Sequence, residues 1–148
     1  MSAAALRPVL LTIDKAIPSP VFYQLTFGDR VKFIAAYKRP SEADSAKSVV
    51  DTYYFETPWQ SARAALPPLP VALDLANLYE QMLRRLIPVP ARTGESLRDH
   101  IQRVNQIRAK ETECRRLDTR LRRELQFNRK VEINAQLRMR TSELAELQ

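Results

Sequence analysis

All ten prolines of this 148-residue chain lie between Pro8 and Pro90, and no glycine or proline follows Gly94. Proline fixes φ and removes an amide donor, so it confines regular helix to the segments that avoid it. Two architectures must therefore share the chain. The first is punctuated by proline and built of short elements; the second is free to be helical from end to end. This predicts an α+β domain over residues 1–91 and a helical arm over 92–148.

Within the first part, "PVLLTI" is a short apolar run rich in branched side chains, and the prolines of "KAIPSP" follow it. That pattern predicts a strand at about 8–14. In "VFYQLTFGDRVKFIAAYKR", Val21, Tyr23, Leu25 and Phe27 alternate with Phe22, Gln24 and Thr26. The alternation resumes at Val31, Phe33, Ala35 and Tyr37, which predicts strands at about 21–27 and 30–38. Gly28-Asp29 between them can supply the positive φ of a tight turn. "RPSEADSAKS" is a polar loop, and "VVDTYYFETPW" predicts a further strand at about 48–56, ended by Pro58. The connector "ALPPLPVAL" reads as extended chain. Leu75, Leu78, Tyr79, Met82 and Leu86 then recur at helical spacing, predicting a helix at about 74–87 with Asp74 as its N-cap. The expected fold is a small, mainly antiparallel sheet with one packed helix.

"PVPARTG" ends that helix, and Ser96 can cap the next. Residues 95–148 are 54 in number, and as one helix they would reach about 80 Å. Such a length must pair with a second copy or fold back. Ile107, Cys114, Leu117, Leu121 and Leu125 form one seam; after Asn128 it resumes at Val131, Leu137, Leu144 and Leu147 in another register. Two readings stay open: a helical hairpin bent near "QFNRK", and a continuous coiled-coil helix with a stutter, pairing as a homodimer. In the hairpin, Asn128 supplies a left-handed helix end and Phe127 packs back onto the helices it joins.

Catalytic constellations can be tested by counting. One histidine, His100, and one cysteine, Cys114, exclude zinc sites built from four such ligands and histidine-based triads. His100 reads as an exposed helix residue, and Cys114 as a small hydrophobe on the seam. Two isolated glycines cannot cradle a phosphate. No Asp or Glu stands two residues before a Lys, so the acidic-x-Lys triplet of magnesium nucleases is missing; Asp14, Asp51 and Glu56 could still converge at strand ends, but solvated turn and edge positions explain them more simply. No catalytic residue, metal ligand or cofactor is assigned. A lone cysteine, no secretory signal and no long apolar run fit a cytoplasmic protein without a membrane segment.

Several stretches, "TIDKAIPSPVFYQL", "FIAAYKR", "YFETPWQ", "LPVALDLANLYEQMLRRLIP" and above all "ELQFNRKVEINAQL", resemble the bacterial family called domain of unknown function 4391, from about Val9 to the end. The resemblance implies an accessory protein encoded near DNA methyltransferases and helicase-like restriction subunits, with one of these as partner. It also implies a segment before the first strand that is missing here, which would leave that strand at an edge. The family carries no established catalytic residues.

A binding surface remains. The chain has 24 basic and 17 acidic residues, a net charge of +7, which favours polyanions or acidic proteins. Arg115, Arg116, Arg120, Arg122 and Arg123 are dense, and Arg116, Arg120 and Arg123 share a helix face. Arginine suits bidentate phosphate contact. With Phe127, Asn128, Arg129 and Lys130 at the bend, they form the candidate contact site for a protein partner or DNA. The expected function is a non-catalytic adaptor on a larger DNA-acting enzyme. Its alternatives are a stand-alone DNA-binding or regulatory protein and a degenerate nuclease.

Overall fold

The computed structural model describes residues 3–44 and 47–148. Residues 45 and 46, part of the expected polar loop, lie outside the described residues. The elements run α1 (Ala3–Ala16), β1 (Phe22–Phe27), β2 (Arg30–Pro40), β3 (Ser48–Glu56), β4 (Gln60–Ser61), α2 (Leu75–Leu86), α3 (Leu97–Arg123) and α4 (Phe127–Leu147). The class is α+β, in two compact units, Met1–Pro90 and Ala91–Gln148.

In the first unit β1, β2 and β3 lie in that order, all antiparallel, and the short β4 pairs with the start of β2. The β1–β2 turn is Gly28-Asp29, with φ of +55° at Gly28 and no positive φ at Asp29. That is the dihedral pattern of a II′ turn, which requires glycine at its first central position. The register sets Phe27 opposite Arg30 and Phe22 opposite Ala35. Where Pro58 interrupts the third strand, Thr57 serves twice. Its amide donates to the Phe33 carbonyl and its hydroxyl accepts the Phe33 amide, each at 3.0 Å.

The segment expected as a strand at 8–14 is helical instead, within α1. Its inward positions are four apart: Leu6, Leu10 and Asp14, with Leu10 and Asp14 buried. The branched residues that suggested a strand, Val9 and Ile13, point outward. Burial of one helical stripe overrides the weak preference of Val and Ile for strand. Pro8 sits inside the helix, where it forgoes one backbone bond. Among the described residues the element before β1 is therefore a helix, not an edge strand.

Each sheet face has its own cover. Leu10, Ile34, Ala36 and Tyr54 form a buried cluster, flanked by Leu6, Tyr23, Leu25 and Val50, beneath α1. On the other face α2 packs against β2 and β3, with Leu83 fully buried and the Tyr79 ring edge-on to Phe22 at 5.7 Å. Asp74 caps α2, its carboxylate accepting the Asn77 amide at 2.7 Å.

The second unit is an antiparallel hairpin of α3 on α4, so the helix is not continuous. Gly94, at φ +74°, forms the turn into it, closed by the Glu95 amide on the Arg92 carbonyl. Ser96 caps α3 through the Asp99 amide at 3.1 Å. Leu97, Ile101, Val104, Ile107 and Leu117 are buried on α3, and Ile133 on α4. His100 shares that inward face and is 1% exposed, not the surface residue expected. Among the described residues no helix is long and apolar enough to cross a membrane.

Candidate functional site

The hairpin bend comes earlier than the sequence suggested. Glu124, Leu125 and Gln126 separate the helices, with Glu124 and Gln126 both extended. Among the described residues no non-glycine has positive φ, so Asn128 is no left-handed helix end; it lies in the first turn of α4. The bend is fixed by Glu124, whose carboxylate accepts the Leu125 and Gln126 amides at 2.9 and 3.0 Å. Those amides, with Arg129 and Lys130 nearby, hold the Glu124 carboxyl below its ordinary range.

Phe127 does not pack back onto the helices. It is 77% exposed, Leu125 is 93% exposed and Val131 53%. The seam expected through Leu125 and Val131 instead passes through Leu117, Ile133 and half-buried Leu121, Leu137, Leu144 and Leu147. Three large apolar side chains thus crowd an exposed tip, flanked by exposed Arg122, Arg123, Arg129 and Lys130.

The cations of the hairpin divide into two populations. Those between the helices are paired. Arg103 makes a two-pronged contact with Glu95 at 2.7 and 2.8 Å and donates to the Leu147 carbonyl. Arg140 bridges Glu113 and Glu143, and Lys110 also reaches Glu143. The Arg103 guanidinium pulls the Glu95 carboxyl down to about 2, and Lys110 and Arg140 lower that of Glu143.

On the outer face the picture reverses. Arg115, Arg116, Arg120, Arg122 and Arg123 are all exposed. Arg122 pairs with Asp118 at 2.8 Å, and Arg115 leans on the Glu111 carbonyl at 3.4 Å. Among the described residues Arg116, Arg120 and Arg123 form no ion pair. Arg115, Arg116 and Arg120, with Thr112 and Thr119, line a shallow open hollow. The arrangement can accept anions. Neither His100, which is buried, nor Cys114, half-buried on the seam, lines that hollow.

The acidic trio considered for a nuclease does not converge. Asp14 lies on α1, 1% exposed, so it is not a solvated turn residue. Its Oδ1 is 3.0 Å from the Lys38 ammonium and its Oδ2 accepts the Tyr54 hydroxyl at 2.6 Å. Lys38 also donates to the carbonyls of Ile17 and Ser19 at 2.8 and 2.9 Å, filling all three donor positions just past the end of α1. Sequence reasoning missed this cluster; its faint signal was Asp14 on an apolar stripe and Lys38 on an apolar strand. Burial and the Asp14 charge raise Tyr23 to about 12 and Tyr54 higher still.

Asp51 sits where the β2–β3 register shifts, Ala36 facing Tyr54 and Lys38 facing Val50, so β3 carries two extra residues. Its carboxylate accepts the Tyr53 amide at 3.3 Å, bracing that bulge. Glu56 pairs with Lys32 at 2.9 Å. Among the described residues no group of three or more His, Cys, Asp or Glu is placed to hold a metal ion.

No curated protein and no solved structure is similar to the chain. A family model does match, and over nearly the whole length. It covers residues 2–144 and spans both units with the cations and the tip described above. The chain belongs to the family described as Domain of unknown function (DUF4391).

Proposed function

We propose that the protein is a non-catalytic accessory subunit of a larger DNA-acting enzyme, a methyltransferase or helicase, and that its hairpin contacts the phosphate backbone of DNA. One observation carries the reading. The seam between α3 and α4 engages Glu95, Glu113 and Glu143 with its own cations, while Arg116, Arg120 and Arg123 stand on the outer face without acidic partners among the described residues. An exposed arginine row without acids is matched to a row of phosphates, which guanidinium groups bind in two-pronged fashion. The exposed Leu125, Phe127 and Val131 supply an apolar surface for the protein partner. The lone Cys114 is in keeping with a cytoplasmic setting.

The test is binding of a short labelled duplex across a salt series. Three neutralised phosphates predict a log–log slope of about −3. Replacing Arg116, Arg120 and Arg123 together with glutamine should remove most of that slope and leave helicity unchanged. A wild-type slope near zero, or a slope the triple variant preserves, overturns the reading. Binding that is steep in salt while no protein partner co-purifies would favour a stand-alone DNA-binding protein.

A further inference from the structure

The first unit contains a pocket of about 370 Å³ that the arginine face does not explain. Its floor is the sheet face carrying Phe22, Gln24 and Phe33; Met82 and Leu86 of α2 form one wall, and the connector Leu66-Pro67-Pro68-Leu69-Pro70 the other. The volume lies in the range of small-molecule sites, and the lining is chiefly apolar with a few polar groups, as such sites are.

The pocket is held open by its construction. A run of three prolines in four residues is stiff and extended, so the connector cannot relax into the space behind it. Two side chains of α2 fasten it at a fixed distance: Arg85 donates to the Pro68 carbonyl at 2.9 Å, and Gln81 to the Val71 carbonyl at 3.1 Å. A packing defect would have flexible walls able to close.

The polar groups indicate the occupant. Arg85 spends one donor on Pro68, and its remaining guanidinium donors meet no other described residue. Among the described residues it forms no ion pair, unlike Arg84 beside it, which is held by Glu80 at 2.8 Å. The side-chain amides of Gln24 and Gln60 also line the pocket and are engaged by no other described residue. A pocket with aromatic and aliphatic walls, one unpaired cation and two open amides, and no acid in its lining, is complementary to a monoanion with a flat apolar body. We propose that this pocket binds a small aromatic carboxylic acid, its ring between Phe33 and the proline wall and its carboxylate on Arg85. The proposal is independent of the hairpin.

The test uses naphthalene-2-carboxylate and its neutral counterpart naphthalene-2-carboxamide, titrated into the ¹⁵N-labelled full chain and followed by amide NMR. The acid should give saturable shifts at the side-chain amides of Gln24 and Gln60 and at the Leu66 and Leu69 backbone amides. Arg85→Gln should weaken the acid about tenfold, the loss of one charge-assisted contact, while leaving the carboxamide unchanged. Because the wild-type shifts are read directly, a poorly folded variant would not hide the answer. No saturable shift at Gln24 and Gln60, or shifts confined to the arginines of α3, overturns the proposal. Carboxamide binding as tightly as the acid would assign the pocket to an uncharged apolar group, such as a partner's side chain, and also overturns it.

Discussion

At the residue scale the most consequential group is a buried cation held wholly by groups of its own unit. The Lys38 ammonium has three partners, Asp14 and the carbonyls of Ile17 and Ser19, and only 2% of its side chain is exposed. A cation just beyond a helix C-terminus meets the negative end of the macrodipole and satisfies carbonyls the helix leaves open. Lys38 therefore fixes where α1 stops and where the chain enters β1. Burying two charges gains little net energy, but removing one leaves the other uncompensated. Lys38→Met should lower unfolding stability by about 3 kcal/mol or more, read from urea titration. Adding Asp14→Asn should recover part of that loss, since an amide keeps the Tyr54 contact without a buried charge. A double variant less stable than Lys38→Met alone would show that Asp14 is not left as an unpaired ion. Tyr79 plays a parallel part on the opposite face. β1 starts at Phe22, opposite Ala35, and beyond that point the Tyr79 hydroxyl accepts the Lys38 amide at 2.8 Å and donates to the Ala36 carbonyl at 3.1 Å.

At the element scale the hairpin is closed at its open end by Glu95 and Arg103, both nearly buried, and Arg103 and Arg92 cover the last carbonyls of α4. The folded Glu95 carboxyl is lowered from 4.5 to about 2. Its contribution is therefore fully present above about pH 4.5 and is lost as pH falls through about 2. Urea unfolding of wild type and Glu95→Gln should differ at neutral pH, and the difference should shrink between those two values. A gap that persists at the acid end would assign the effect to packing rather than charge. The elements legible in the sequence were those whose signals are local: the Gly28-Asp29 turn, the alternation along β1 and β2, the Asp74 and Ser96 caps and the stripe of α2. What was illegible depended on distant partners. Asp14 can face inward because Lys38, 24 residues on, meets it, and without that partner "PVLLTI" reads as a strand. The bend was misplaced because Asn128 has the right intrinsic preference, whereas Glu124 does the work through its side chain. The arginines were visible as a row; that the neighbouring Glu113 is engaged from across the hairpin depended on where α4 placed Arg140.

At the scale of the whole molecule, the hairpin presents two surfaces of different chemistry close together: an arginine face along the outer side of α3, and a tip where Leu125, Phe127 and Val131 lie exposed. Exposed apolar clusters rimmed by charge mark protein contacts, whereas phosphate contacts come from cations without apolar support. If the protein links a larger enzyme to DNA, the two activities should separate by mutation. Replacing Leu125 and Phe127 with serine should abolish co-purification of a protein partner from nuclease-treated lysate and leave the salt slope of DNA binding unchanged. Replacing Arg116, Arg120 and Arg123 with glutamine should do the reverse. Neither set touches the buried seam of Leu117 and Ile133, so thermal unfolding should stay within a few degrees of wild type in both. If both sets abolish both activities together, the tip and the arginine face form one surface for one partner, and the bridging role gives way to a single docking site.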